Sequence, residues 1–402
     1  MQVRILQPLR HRDFRLLWIG QSVSQVGNAL YYVALPFQIL ALGGSPLQLG
    51  IGFTIFSTAQ LLVILFGGAI VDRLPRRQVI LASDLASGVV VGAVAVLGLT
   101  GHLQIAYLYV ASAFFGVAFS FYTPAMSAIM PELVPSDVLV AGNALRGLAG
   151  QSARVVGPLL GGLVVAKAGP PLAFAIDAAT FFFSFVVFFL ASPPKREPPP
   201  RQSLLSQMRE GLAFTFSVQW IWLTIVGFGF VNGFYFAAFT VALPLLVLNV
   251  LHGTAATFGV IGAAGGVGEL IGGLVVGNIR VRRVGLAIYA TQLLLGLSVV
   301  GYGIVPLLPV VLVAAAGFGW AIVVSNTLWE SALQRHVPVA LIGRVTSIDY
   351  FGSFLVGPVA PIAAAAAIPL IGPAGIFLIG GAIACVFSVA APALSRSIRK
   401  LE

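Results

Sequence analysis

Apolar residues in this chain neither alternate nor keep to a narrow stripe; they fill long runs broken by short polar stretches. Twelve such runs can be traced, at about 14–42, 47–71, 79–100, 105–130, 139–166, 171–191, 218–248, 256–277, 285–305, 309–334, 342–368 and 374–394. Most match the ~20 residues that a helix needs to cross a bilayer. Hydrocarbon offers backbone groups no water, so each run must satisfy its own N–H and C=O groups, and this predicts helices. The period-two alternation of a membrane barrel is absent. The first and seventh runs exceed one crossing and are expected to tilt or to extend beyond the bilayer.

Composition agrees with the pattern. Of the 402 residues, 59% are hydrophobic and 8% charged, where a soluble domain has about 25% charged. A soluble fold of this size could not cover its surface with so few polar side chains. The first run is too long for a signal segment and leads directly into the membrane domain, so no cleavable leader is expected.

The basic residues orient the path. All but three of the 22 Lys and Arg fall on one side of a twelve-helix route. They occur before the first run, after the second (Arg73, Arg76, Arg77), in the central linker, after the eighth, around the loop after the tenth (Arg335, Arg344) and at the C-terminus. The exceptions are Lys167 and, inside the fifth run, Arg146 and Arg154. The positive-inside rule puts both termini in the cytoplasm of a multi-pass protein of the inner or plasma membrane. The net charge of +10 is then topological, and nucleic acid is not an expected partner. The lone Cys385 reads as a packing residue. His11, His102, His252 and His336 stand near run ends and read as interfacial. No metal-ligand spacing, phosphate loop or nucleophile elbow occurs in the sequence. An enzyme, a cofactor and a metal are not expected.

The chain reads as two halves. Residues 192–201 form a Pro-rich charged stretch, the composition of a semi-rigid spacer. This gives a six-helix bundle at 1–191, a cytoplasmic linker with an amphipathic segment at 192–214, and a second six-helix bundle at 215–402. Short motifs recur at matching positions. Ala34-Leu35-Pro36 returns as Ala242-Leu243-Pro244, and Val156-Gly157-Pro158 as Val356-Gly357-Pro358. Gly67, Gly68, Arg76 and Arg77 are echoed by Gly272, Gly273, Arg282 and Arg283. Three matches in order point to a parallel duplication. The expected fold is an all-α membrane protein, twelve transmembrane helices in two pseudo-symmetric six-helix bundles, with a substrate site near the midplane.

Two motifs carry a family resemblance. Gly68-Ala-Ile-Val-Asp72-Arg73-Leu-Pro-Arg76-Arg77 resembles the loop between the second and third helices of the major facilitator superfamily. Ala153-Arg-Val-Val-Gly157-Pro158-Leu-Leu-Gly161-Gly162 resembles the fifth-helix motif of its antiporters, with Ala153 in place of the first Gly. The segments from Arg12 to Trp18 and from Val337 to Val345 look like the macrolide-efflux and enterobactin-exporter branch. The resemblance spans nearly the whole chain. It implies a secondary-active exporter of small amphipathic organic molecules, proton-driven, working by alternating access. Relatives often carry an acid near Asn28 and a base near Ser87, and other drug-antiporter branches carry an Arg in the fourth helix; this chain has none of the three.

In that architecture Asp72 is expected to face the eleventh helix near Arg344, where helix dipole and guanidinium favour a carboxylate. Gly68, Asp72, Arg73, Arg76, Arg77 and Arg344 then form a latch that holds the outward-open state. The alternative is that the arginines only set topology. Gly157, Pro158, Gly161 and Gly162 allow close packing, with a tight seam between bundles as their added role. Ionisable residues inside the runs must face protein or water. Glu269 and Arg154 read as the deepest and as a candidate pair for coupling or for a structural salt bridge. Asp177 and Asp349 lie about two turns into their runs, and Asp84 about a turn from the cytoplasmic face.

The cavity expectation comes from helical spacing. Gln21, Gln25, Asn28 and Tyr32 make one polar stripe, and lipid would reject its amides. Phe115, Tyr122, Asn232, Tyr235, Asn326 and Trp329 are added as aromatic and amide candidates suited to bulky apolar or cationic solutes. Packing or lipid contact is the other reading of the aromatics. The leading function is drug or multidrug efflux by a monomer without cofactor, with protons, a small-molecule substrate and the lipid bilayer as the expected partners. Alternatives are export of one endogenous product, such as a siderophore or a lipid, and a transport-inactive sensor or assembly factor.

Overall fold

The computed structural model describes residues 4–71, 74–192, 204–279 and 281–401. Its helices are α1 (Arg12–Ala41), α2 (Pro46–Val71), α3 (Arg76–Leu99), α4 (Ile105–Leu133), α5 (Leu139–Ala168), α6 (Pro170–Phe189), α7 (Leu204–Ser217), α8 (Gln219–Ala237), α9 (Leu243–Asn249), α10 (Ala255–Val276), α11 (Val284–Ile304), α12 (Leu308–His336), α13 (Val339–Phe354), α14 (Ala360–Leu394) and α15 (Arg396–Arg399). No strand occurs among the described residues. The all-α membrane fold is as the runs predicted.

Among the described residues, ten helical stretches are long and apolar enough to cross a bilayer. The other two of the twelve expected crossings are present in less regular form. The first is α1, whose amides lower its hydropathy. The eleventh begins as α13 and resumes in α14 after a bend at 355–359, which contains the Val356-Gly357-Pro358 motif. Within α14, Gly372 has φ +69 and is flanked by Pro369 and Pro373, so the 35-residue element is two crossings joined at a kink. A residue without Cβ takes that backbone conformation without strain. Gly169 (φ +82) does the same between α5 and α6, which follow each other with almost no loop. The seventh crossing, α8 to α9, passes through a π-helical segment at Ala238–Ala242. Pro244 follows it, lacks an N–H, and so cannot close the regular ladder at that turn.

Contacts divide the chain into two units. One comprises 1–200 with 254–263; the other comprises 201–253 with 264–402. In the first unit α1 packs on α5 and α6, α2 on α4, and α3 on α4 and α6. The seams are close because of glycine. A Cβ at Gly20 would lie 3.1 Å from the Ser184 Cα, and one at Gly27 would lie 2.0 Å from the Thr180 hydroxyl oxygen. One core cluster gathers Phe14, Leu17, Ile80, Ile129, Met130 and Phe188. In the second unit α11 packs on α12 and α14, and α8 on α13 and α14. Its core gathers Trp220, Ile221, Phe228, Tyr289, Leu328 and Trp329.

Candidate transport site

The stripe on α1 serves three environments. Gln21 is buried at 4% exposure. Its Nε2 donates to Asp84 Oδ2 at 3.2 Å and to Ser184 Oγ at 3.0 Å, and its Oε1 accepts from the Tyr122 hydroxyl. Ser184 Oγ donates to Asp84 Oδ2 at 2.7 Å. Four helices, α1, α3, α4 and α6, thus meet in one polar network around a carboxyl that is 1% exposed. Gln21 and Gln25 also line a narrow cleft with Trp18, Met126, Met130 and Arg146. Further along α1, Asn28 and Tyr32 line a larger cleft with Tyr31, Phe53, Phe56, Ser112 and Phe115.

That larger cleft is aromatic with a few polar atoms. The Tyr31 and Phe115 rings are 4.7 Å apart, and Tyr31 also packs on Phe174 at 5.4 Å. Among the described residues, the Tyr31 hydroxyl and Ser112 Oγ are buried without a hydrogen-bond partner. Buried polar atoms usually find partners, so these two are sites a solute or water would occupy. On α6, Asp177 is fully buried. The Thr180 hydroxyl lies 3.5 Å from its Oδ1, and its Oδ2 has no hydrogen-bond partner among the described residues.

The helix that carries Asp84 begins at Arg76, so the carboxyl stands more than two turns along α3. The first turn carries two arginines that snorkel. Arg76 pairs with Glu132 at the end of α4, while Arg77 donates to the Phe189 carbonyl at 2.7 Å and lies over the Phe189 ring. Asp72 and Arg73 lie outside the described residues. Gly68 lies within α2. Arg344 on α13 forms an ion pair with Glu210 on α7.

Of the remaining candidates, Arg154 lies midway along α5 and Glu269 in the last third of α10. Asp349 accepts from the Trp329 indole at 2.9 Å. Trp329 is a core residue there, edge-on to Trp220 at 5.6 Å. Tyr235 is buried against Phe318. Asn232 is half-buried and Asn326 exposed. On α5, Gly157 meets Ala29 and Gly161 meets Leu30, both of α1. A Cβ at Gly162 would lie 2.5 Å from the Ala255 carbonyl oxygen, and one at Gly259 would lie 2.3 Å from that of Pro158. The four motif residues therefore let α5 touch α1 on one side and the opening of α10 on the other.

Sequence reasoning passed over Tyr31 and Ser184. Ser184 lies two turns beyond Asp177 on the same face of α6, and that seven-residue spacing was the available signal.

Comparison with known proteins completes the picture. Residues 17–361 match the sequence model of the Major Facilitator Superfamily. The enterobactin exporter EntS of Citrobacter koseri is 26% identical over 358 residues, covering 86% of this chain and 85% of the relative. That of Shigella boydii is 27% identical over 372 residues, covering 89% and 88%. Among solved structures, a POT family transporter in complex with 5-aminolevulinic acid has a TM-score of 0.77 at 13% identity, covering 97% of each chain. A bacterial homologue of the iron transporter ferroportin has a TM-score of 0.70 at 18% identity, covering 94% of this chain and 98% of that one.

Proposed function

The chain belongs to the major facilitator superfamily of membrane transporters, and from that premise we propose that it exports one endogenous small molecule of the siderophore class. The observation that carries this reading is the match to enterobactin exporters along nearly the full length of both partners. It favours the reading that the sequence kept second over broad drug efflux. Drug efflux has one observation of its own, the aromatic cleft of Tyr31, Tyr32, Phe53, Phe56 and Phe115, which suits amphipathic solutes of many shapes.

Export is secondary-active, by alternating access, with protons as the counter-ion. Both termini lie in the cytoplasm, since the basic residues concentrate on that side. The working unit is a single chain. The test is uptake of enterobactin into inverted membrane vesicles with an imposed pH gradient. Gradient-dependent accumulation, absent from vesicles lacking the protein, is expected. Uptake of several unrelated amphipathic dyes without enterobactin would transfer the reading to drug efflux.

A further inference from the structure

Helix α7, which leads from the linker into the seventh crossing, divides its circumference three ways. At about 100° per residue, Phe214, Gly211 and Thr215 take one arc, Met208, Leu212 and Phe216 the next, and Arg209, Ala213, Ser217 and Glu210 the third. The first arc meets protein. Thr215 is 2% exposed, and Phe214 packs on the core of the second unit. A Cβ at Gly211 would lie 2.9 Å from Ile348 Cδ1 and 3.0 Å from Arg344 Cβ, both of α13. The third arc is exposed and mostly polar, and Glu210 at its edge pairs with Arg344. The middle arc is the anomaly. Met208, Leu212 and Phe216 are 48%, 39% and 62% exposed, three large apolar side chains in one stripe. A surface helix in water turns such a stripe toward a core.

Position says what covers the stripe. Helix α7 ends at Ser217 and α8 starts at Gln219, where a stretch long and apolar enough to cross a bilayer begins. Phe216 thus stands within a turn of the start of a crossing. Trp222, half-buried in the first turn of α8, is of a residue type that collects at the membrane–water boundary. Protein on one arc, an apolar flank on the next and polar groups on the third suit a helix lying in the headgroup region beside a membrane protein. Charge agrees. Arg209 borders the stripe, and the exposed Arg396, Arg399 and Lys400 of the C-terminal segment are held at the same end. Ser395 and Ser397 of that segment donate to Gln219 Oε1 at 3.4 and 3.2 Å, and the Leu401 carbonyl accepts from the Gly285 N–H at 3.2 Å. Glu210, the acid of α7, is already paired with Arg344.

We propose that the flank of α7 formed by Met208, Leu212 and Phe216 is a bilayer-binding surface. It is seated in the leaflet on the side of the C-terminus, and Arg209, Arg396 and Lys400 hold the phosphates of anionic phospholipids around it. Through Gly211 and the Glu210–Arg344 pair, α7 then joins that leaflet to α13. The inference is independent of the cargo.

The test places spin labels on the full chain in bilayers that contain phosphatidylglycerol. Cys385→Ala gives the background. Met208→Cys, Leu212→Cys and Phe216→Cys are labelled one at a time, with Ala213→Cys and Ser217→Cys as controls on the polar arc. Collision with oxygen, which partitions into lipid, is compared with collision with a water-soluble nickel chelate. The oxygen-to-nickel ratio on the stripe is expected to exceed that of the controls by about threefold or more, as immersion by about 5–10 Å requires. Equal ratios overturn the proposal, because the stripe then faces water. Low collision with both reagents overturns it in favour of a protein cover, and spin–spin broadening would identify that cover as a second copy of the chain. Where one substitution impairs folding, the other two stripe positions still decide. The second arm measures the association of spin-labelled phosphatidylglycerol and phosphatidylcholine with the chain. A preference for phosphatidylglycerol of about two- to fivefold, the scale of a cation at an anionic surface, should vanish when Arg209→Gln, Arg396→Gln and Lys400→Gln are combined. An undiminished preference in that variant, or none in the wild-type chain, overturns the headgroup contacts.

Discussion

Trp329 shows how a residue chosen for one role can serve another. The aromatic and amide pattern of α12 suggested a cavity wall, yet its indole N–H goes to Asp349 and its ring to the core of the second unit. Both facts follow from an acid placed where lipid would reject it. Trp329→Phe keeps an aromatic ring and removes the donor, leaving the Asp349 oxygen without its partner. The expected loss is about 1–3 kcal/mol of stability, read as a lower melting temperature in detergent. The double variant Trp329→Phe with Asp349→Leu should lose less than the sum of the singles, because the stranded oxygen is gone. Equal melting of the single variant and the wild-type chain would make this hydrogen bond irrelevant. At this scale the sequence told which residues could not face lipid. It did not tell which neighbour each would find. Gln21 was legible as an amide in an apolar run; its partners Ser184 and Asp84 are 163 and 63 positions away, beyond any local pattern.

At the scale of elements, the apolar runs located the helices well because crossing length and backbone satisfaction leave little choice. The run of α3 began late because Arg76 and Arg77 belong to its first turn, and the bend at 355–359 lay unmarked inside one run, whereas the break between 368 and 374 coincides with the kink at Gly372. The seam of α1 with α6 depends on an atom that is missing. A Cβ at Gly27 would lie 2.0 Å from the Thr180 hydroxyl oxygen and 2.6 Å from Asp177 Oδ1. Gly27→Ala should therefore cost about 1–3 kcal/mol through forced separation of the two helices. Gly147 of α5 is the control, since a Cβ there meets nothing within 4 Å. Gly147→Ala should be neutral or stabilise by up to about 1 kcal/mol through helix propensity. Adding Thr180→Ala to Gly27→Ala should recover part of the loss by removing the nearest clash. Thermal unfolding of the four purified proteins makes the comparison. Equal sensitivity of Gly27 and Gly147 would mean that the seam yields freely.

At the scale of the whole molecule, the latch of Asp72 against the eleventh helix is a proposal about populations. Asp72→Asn keeps the shape and removes the charge that the dipole and Arg344 would hold. It should shift spin-label distances on the cytoplasmic side to longer values and slow export; unchanged distances with normal transport would end the idea.

A second property of the whole molecule concerns which chain segments need each other. The two units part near the Pro-rich stretch, at Pro200 and Arg201, yet residues 254–263 belong with the first unit. The reason is local. Gly162 and Pro158 of α5 meet Ala255, Gly259 and Gly262 with almost no side chain between the backbones, and such small-residue seams join helices strongly in lipid. Chains 1–196 and 197–402 expressed together should therefore insert, associate and restore part of the transport, because the break falls in a spacer while the seam stays intact. Gly259→Val should defeat this reassembly, since even its Cβ would lie 2.3 Å from the Pro158 carbonyl oxygen. In the unbroken chain the same substitution should be milder, because the linker keeps the segments at high effective concentration. Co-purification through a tag on the first fragment gives the readout. Equal recovery of the second fragment with and without Gly259→Val would show that the seam does not hold the pieces together.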